Sequence, residues 1–179
     1  VDGDEDFNKQ FHGDVVRTQF HAGWRGQRFL RFERTFEKTG DAPLEFDISA
    51  DERFVLLLDN EIIARGPNRG TLDHWGYESY RVQLAPGKHT LSAVVWQVGP
   101  FAPFAQLSWR GGFILKAEGA YDALLTTGKA DWRVAELKNT VMTHPNFGVG
   151  ADTEISGTAF LYERPDEAAF AKAVVVRNP

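Results

Sequence analysis

Apolar and polar residues alternate along the first two thirds of the chain with the period of half-buried β-strands. The alternation is clearest over 28–36, 44–49 and 80–84, where apolar residues at even positions, among them Leu30, Phe32 and Phe36, alternate with polar or charged residues at odd positions. A continuous apolar run over 54–58 predicts a strand that is covered on both faces. The same reasoning predicts further strands over 62–64, 89–98, 104–109, 113–117, 121–127 and 132–137.

Turn-forming residues separate these segments. Asp59 and Asn60 predict a hairpin turn, because both residues tolerate the left-handed backbone conformation. Pro86 and Gly87 suit the centre of a type II turn. One helix is predicted over 165–172, with Pro in its first turn, acids near its start and Lys near its end. Eight or more strands with one short C-terminal helix predict an all-β fold, a β-sandwich.

Length and charge narrow the possible partners. A chain of 179 residues fits one domain over 1–179, with an acidic lead-in over 1–14 and the start of a connection to a next domain over 165–179. The formal net charge of -5 argues against a nucleic-acid partner, because that binding depends on clustered Lys and Arg. No apolar run reaches the length of a membrane span.

The ends of the chain and its lack of cysteine bear on its origin. The chain begins at Val1 without Met, and it stops directly after the strand-like residues 174–176, so we expect a piece of a longer protein. Zero cysteines exclude disulfides, thiolate metal sites and a Cys nucleophile, but not export from the cell. The compartment stays open, with a secreted or periplasmic location favoured over a cytoplasmic one.

The segment 65–80 is the main candidate for function. It contains four residues that disfavour a helix, together with planar polar side chains and an aromatic ring. Sugars are bound by such polar groups and by aromatic faces that cover their C–H surfaces. The competing interpretation is a long connection in which Trp75 and Tyr77 close the end of the core. The candidate carbohydrate-binding or interface residues are Asn68, Arg69, Asp73, His74, Trp75 and Gln97.

Known catalytic signatures are missing from the sequence. It has no His-Glu-x-x-His, no Gly-x-Ser-x-Gly and no phosphate-binding loop, and its five histidines stand far apart. Pairs of carboxylates for glycoside hydrolysis could be drawn, but a chain with 25 acids supplies such pairs by chance. We therefore assign no catalytic residue.

A set of residues within 44–118 forms a recognisable combination: 50–54, Asp59-Asn60, 65–69, His74-Trp75, Tyr77, Tyr80, Pro86-Gly87, 104–108 and Gly112-Phe113. With this combination, residues 44–118 resemble the N-terminal domain of bacterial α-L-rhamnosidases of glycoside hydrolase family 78. The passage 127–132 also resembles the Thr-Asp-x-x-Trp passage of that family, and 166–176 resembles a stretch near its next domain. The chain departs from the family at Asn60-Glu61, where many relatives have Asn-Gly, and the region 139–164 matches nothing recognisable.

The resemblance implies a galactose-binding-like jelly roll that precedes a catalytic (α/α)6 barrel. The parent enzyme would release L-rhamnose from glycosides with inversion, and this chain would be its non-catalytic front domain. The implied partners are the barrel of the same parent chain and L-rhamnose-containing glycans. Some sandwich modules of this kind use calcium, for which the oxygen-rich candidates are Asp51, Glu52, Asp59 and Asn60.

The sequence also predicts where a ligand would bind. In a sandwich the sheet faces are used for packing, so a site should lie where loops meet at one end. We expect the loop 65–80 to meet the irregular segment 99–103 there. Arg69, Asp73, His74, Trp75 and Gln97 should then converge in space.

Overall fold

Eleven β-strands and one short α-helix form most of the described chain. The computed structural model describes residues 16–17, 27–68, 70–71, 74–97, 108, 111–140 and 159–175. The helix is α1 (Asp122–Leu125). The strands are β1 (Val16–Arg17), β2 (Arg28–Lys38), β3 (Leu44–Asp51), β4 (Arg53–Leu58), β5 (Glu61–Gly66), β6 (Glu78–Val82), β7 (Gly87–Gln97), β8 (Gly112–Ala117), β9 (Arg133–Glu136), β10 (Ala171–Lys172) and β11 (Val174–Val175).

The strands lie in two antiparallel sheets. Among the described residues, the first sheet has the strand order β11-β1-β8-β3-β6 and the second has the order β10-β9-β2-β7-β4-β5. The edge strands of the first sheet are β11 and β6, and those of the second sheet are β10 and β5. The predicted all-β sandwich is confirmed, with the strands over 28–36, 44–49, 54–58, 80–84 and 113–117 close to their predicted places.

The main core lies between the two sheets. Phe32 on β2, Ile48 on β3, Leu56 on β4 and Leu115 on β8 are fully buried there. On each of these strands, a residue two positions away also belongs to this core, as the alternation in the sequence requires. Complete burial of one such side chain stabilises the fold by about 1.5–3 kcal/mol, so the alternating pattern accounts for the pairing of the sheets.

A second, smaller core covers the outer face of the six-stranded sheet. Val55 and Leu57 on β4 point into it, whereas their neighbours on the same strand point into the main core. Phe160 packs edge-on against Phe29 and Trp96, with ring centroids 5.7 and 5.5 Å apart. The prediction that 54–58 is covered on both faces is therefore confirmed.

The segment 119–132 closes one end of the main core and corrects one prediction. The expected strand over 121–127 is instead a 3₁₀ turn (Gly119–Tyr121) followed by α1. Tyr121 and Leu125 are both buried, and a spacing of four places them on one helical face. The Trp132 indole N–H donates to the Leu125 carbonyl at 2.8 Å, and its ring packs edge-on against Phe113.

The end of the described chain corrects a second prediction. The expected helix over 165–172 is a 3₁₀ turn (Glu167–Ala169) followed by β10, which pairs with β9. The strand β11 then pairs with β1 in the other sheet. Pairing with the edges of the two sheets outweighs the local helix propensity of these residues. Residues 165–175 thus pack on the sandwich itself.

Two further predictions concern loops and membranes. Asp59 and Asn60 have φ angles of 50° and 73°, which confirms the left-handed hairpin turn. The predicted strand over 104–109 falls almost entirely outside the described residues. No helix in the described ranges is long and apolar enough to span a membrane.

Candidate functional site

The loop between β5 and β6 crosses from one sheet to the other at the edge of the sandwich. Its start is held by Pro67, which is buried and whose carbonyl accepts from the Arg53 guanidinium at 3.4 Å. The Tyr80 hydroxyl on β6 donates to the Arg65 carbonyl on β5 at 3.2 Å, which joins the two sheets directly. The base of the loop is therefore fixed by both of its flanking strands.

The two arms of the loop are joined across its width. The backbone N–H of Asn68 donates to a Glu78 carboxylate oxygen at 3.1 Å. On the returning arm, the Gly76 carbonyl accepts from the Ser49 hydroxyl of β3 at 2.6 Å. The Asn68 side chain itself is exposed. These bonds make the returning arm an extension of β6 along the edge of β3.

The tip of the loop is a tight reciprocal turn. The Thr71 amide donates to the His74 carbonyl at 3.0 Å, and the His74 amide donates back to the Thr71 carbonyl and hydroxyl at 3.2 and 3.1 Å. A Cβ atom on Gly70 would lie 2.3 Å from the His74 carbonyl oxygen. Position 70 therefore accepts no side chain in this conformation, and the His74 side chain is left exposed at the tip.

The side chains of Trp75, in the loop, and Gln97, at the end of β7, both lie near the C-terminal end of β3. The Trp75 indole N–H donates to the Ala50 carbonyl at 3.3 Å, and the ring is half-buried. The Gln97 amide donates to the Ser108 hydroxyl at 2.8 Å and lies beside Gly111, which is also next to the Asp51 carbonyl. Arg69, Asp73 and 99–103 lie outside the described residues. The predicted convergence of the full set thus stays a prediction.

The four candidate calcium ligands do not come together. Asp51 and Glu52 precede β4 and Asp59 and Asn60 follow it, and a strand of that length separates its ends by about 20 Å. Asp59 accepts from the His89 ring and the Thr90 amide. Within the part of the chain that the structure describes, no three His, Asp or Glu side chains are grouped to hold a metal ion.

A charged cluster that was not predicted from the sequence lies on the outer face of the six-stranded sheet. Glu33 on β2 accepts from the Arg31 guanidinium at 2.7 Å and from the Arg133 guanidinium at 2.8 Å. Arg133 also pairs with Glu167 and lies over the Phe170 ring, 4.3 Å from its centroid. The available signal in the sequence was the alternation of Arg31 and Glu33 with the buried apolar residues Leu30 and Phe32 on β2.

This cluster shifts the pKa of Glu33. Burial alone raises the pKa of the carboxyl group, but the hydrogen bonds and positive charges of Arg31 and Arg133 outweigh burial and hold the pKa below its ordinary value. Arg31 is itself 1% exposed and donates further to the Leu161 carbonyl at 3.0 Å. The cluster therefore fastens the segment that covers the second core.

Comparison with solved structures places this fold within larger enzymes. A GH78 family rhamnosidase of Bacillus sp. GL1 superposes with a TM-score of 0.70 and 25% sequence identity over 93% of this chain. The chain has the fold of a part of that rhamnosidase. It corresponds to only 18% of the length of the Bacillus enzyme.

A second enzyme has the same fold at lower similarity. The Streptomyces avermitilis alpha-L-rhamnosidase complexed with L-rhamnose has a TM-score of 0.50 and 15% identity over 92% of this chain, which spans 14% of that enzyme. No family model and no curated protein matches the sequence. The structural similarity therefore supports a domain of a GH78-type rhamnosidase.

Proposed function

We propose that this chain is a non-catalytic accessory domain of an α-L-rhamnosidase-like glycoside hydrolase, of the galactose-binding-like type. The observation that carries the proposal is the match over 93% of this chain to 18% of a GH78 family rhamnosidase. A catalytic (α/α)6 barrel in the same parent chain is the proposed partner. The domain supports that barrel by packing against it.

The loop between β5 and β6 is the proposed contact surface. It is fixed to both sheets, and Tyr77 on its returning arm is 41% exposed. Aromatic side chains are enriched at protein interfaces, and a rigid loop loses little conformational entropy on docking. Trp75, two residues before Tyr77, is half-buried, and its bond to Ala50 positions this arm against β3.

Aromatic truncation in the intact enzyme tests the proposal. We expect Tyr77→Ala and Trp75→Ala to lower the melting temperature of the intact enzyme more than that of the isolated 179 residues. The matched control is Tyr162→Ala, which removes another exposed aromatic ring far along the chain and should have the same effect in both proteins. Equal losses in both proteins for Tyr77→Ala and Trp75→Ala would contradict docking through this loop.

A second candidate function is direct binding of L-rhamnose-containing glycans by the same loop. The observation in its favour is that exposed Asn68 and His74 side chains share the loop with the half-buried Trp75 ring. The indole N–H is already bonded to Ala50, so the ring would offer its apolar surface. An open site of this type would bind at roughly millimolar Kd, or about 4 kcal/mol.

Titration of the 179 residues with L-rhamnose and rhamnosides separates the two functions. Binding heat at millimolar sugar that Trp75→Ala abolishes would favour the glycan-binding function. The absence of heat, together with the selective destabilisation of the intact enzyme, would favour docking. Calcium is left out of both functions because β4 separates the candidate ligands.

A further inference from the structure

His89 on β7 is held between two hydrogen-bond acceptors. Its Nδ1 lies 2.6 Å from a carboxylate oxygen of Asp59, and its Nε2 lies 2.9 Å from the Ala85 carbonyl oxygen. A carboxylate and a carbonyl can only accept, whereas a neutral imidazole can donate through only one of its nitrogens. Both bonds therefore form together only when His89 carries two ring protons.

The two acceptors belong to different turns. Asp59 lies in the turn between β4 and β5, where it also accepts from the Thr90 amide at 2.8 Å. Ala85 lies between β6 and β7, which are strands of different sheets. The protonated ring thus ties the connection between the two sheets to a neighbouring hairpin turn.

The charges around His89 favour the protonated form. The hydrogen bond that His89 donates to Asp59 is the largest effect that raises the pKa of His89, followed by the hydrogen bond to the Ala85 carbonyl. Burial lowers this pKa, and the negative charges of Asp59 and Glu37 raise it further. Lys88 stands opposite Glu37 in the register of β2 and β7. Arg164 bonds the Asn60 side chain next to Asp59, and the Phe36 ring packs beside the imidazole.

We propose that His89 is a proton-dependent clasp that holds the connection between β6 and β7 when it is protonated and releases it when it is neutral. On deprotonation the proton leaves Nε2 for solvent, and Nδ1–H keeps its bond to Asp59, because a charged acceptor binds a donor more strongly than a carbonyl does. The Nε2 lone pair then faces the Ala85 carbonyl oxygen and repels it. The turn at Ala85 loses its anchor, whereas the Asp59 turn keeps its own.

Nuclear magnetic resonance of the chain tests this clasp from about pH 5 to 9, the range in which histidines titrate. We expect the His89 ring to titrate above the ordinary histidine value of about 6.5, because its pKa is raised in the folded domain. The Ala85 carbonyl carbon should shift with the same midpoint as His89, and the neutral ring should be the Nδ1–H tautomer. His89→Gln should abolish the Ala85 step.

Three results would overturn the proposal. They are an Ala85 carbonyl that does not respond while His89 titrates, a His89 midpoint at or below the ordinary histidine value of about 6.5, and a neutral ring in the Nε2–H tautomer. Stability gives an independent reading. Because the pKa of His89 is raised in the folded state, its stabilisation is complete below the unfolded-state pKa of about 6.5 and is lost as pH rises through the folded-state pKa.

The difference in stability between the wild type and His89→Gln should therefore be largest in acid and shrink as pH rises. A difference that stays constant across the same pH range would contradict the clasp. Both readings use the domain alone, so they are independent of whether it docks to a catalytic barrel.

Discussion

The Trp75 indole N–H donates to the carbonyl oxygen of Ala50 at the end of β3. This bond fixes the returning arm of the loop between β5 and β6 to a strand of the five-stranded sheet. Trp75, which is predicted from the sequence to contact a ligand or an interface, is thus also part of the sandwich edge. The shape of the proposed contact surface depends on how closely the loop packs on itself.

The first prediction tests that packing at position 70. We expect Gly70→Ala to lower the free energy of unfolding by about 1–3 kcal/mol, because the added methyl group would lie 2.3 Å from the His74 carbonyl oxygen. Gly76→Ala is the control, because its added methyl group would meet the nearest atom, the Asn68 carbonyl oxygen, at 3.4 Å. Urea denaturation of both variants gives the comparison, and equal effects would show that the tip is not tightly closed.

The second prediction concerns the segment that covers the outer face of the six-stranded sheet. Phe160→Ala should destabilise the domain by about 3–5 kcal/mol, because the ring is buried against Phe29 and Trp96. Tyr162→Ala, two residues further along the 3₁₀ turn Ala159–Tyr162, removes a side chain that is 52% exposed and should change stability by less than about 0.5 kcal/mol. Thermal or urea unfolding that cannot tell the two variants apart would mean that 159–162 does not belong to the folded core.

The third prediction concerns the buried charge of Glu33. Glu33→Ala should cost about 3–5 kcal/mol, because it leaves the buried guanidinium of Arg31 without its carboxylate. Glu136→Ala on β9 is the control, since its pair with Arg28 is half-exposed, with 3.6 Å between the charged atoms, and should be worth at most about 1 kcal/mol. Urea denaturation at neutral pH measures both costs.

The pH dependence of the same cluster follows from the pKa of Glu33. That pKa is lowered in the folded state, so the stabilisation is present above the unfolded-state value of 4.5 and is lost as pH falls through the folded-state pKa. The stability difference between the wild type and Glu33→Gln should shrink as the solution is made more acidic than that value. An unchanged difference in acid would mean that Glu33 is not ionised in the fold.

Sequence periodicity predicts the strands of this fold well and its long-range contacts poorly. The strands β3 and β4 follow directly from alternation and from an apolar run, because strand formation and burial leave a local pattern. Residues 171–172 form a strand and not a helix because β9 offers an edge to pair with, and the local sequence contains no signal for that edge. Glu33 and Arg133 meet although they are 100 positions apart.

The candidate site, too, is predicted from the sequence only in part. Glycine, proline and aromatic residues over 65–80 predict an irregular loop with exposed polar groups, which the described part of the loop confirms. The Trp75 bond to Ala50 and the separation of Asp51 from Asp59 depend on strand register and strand length. Composition alone groups those acids together, whereas β4 holds them at opposite ends.

Assay of α-L-rhamnosidase activity on an aryl α-L-rhamnoside tests the central claim most directly. The intact parent enzyme and the isolated 179 residues are compared at equal concentration. We predict turnover by the intact enzyme and no turnover by the isolated residues, because the proposed domain supports catalysis without performing it. Turnover by the isolated 179 residues, or an intact protein that does not act on rhamnosides, would contradict the account.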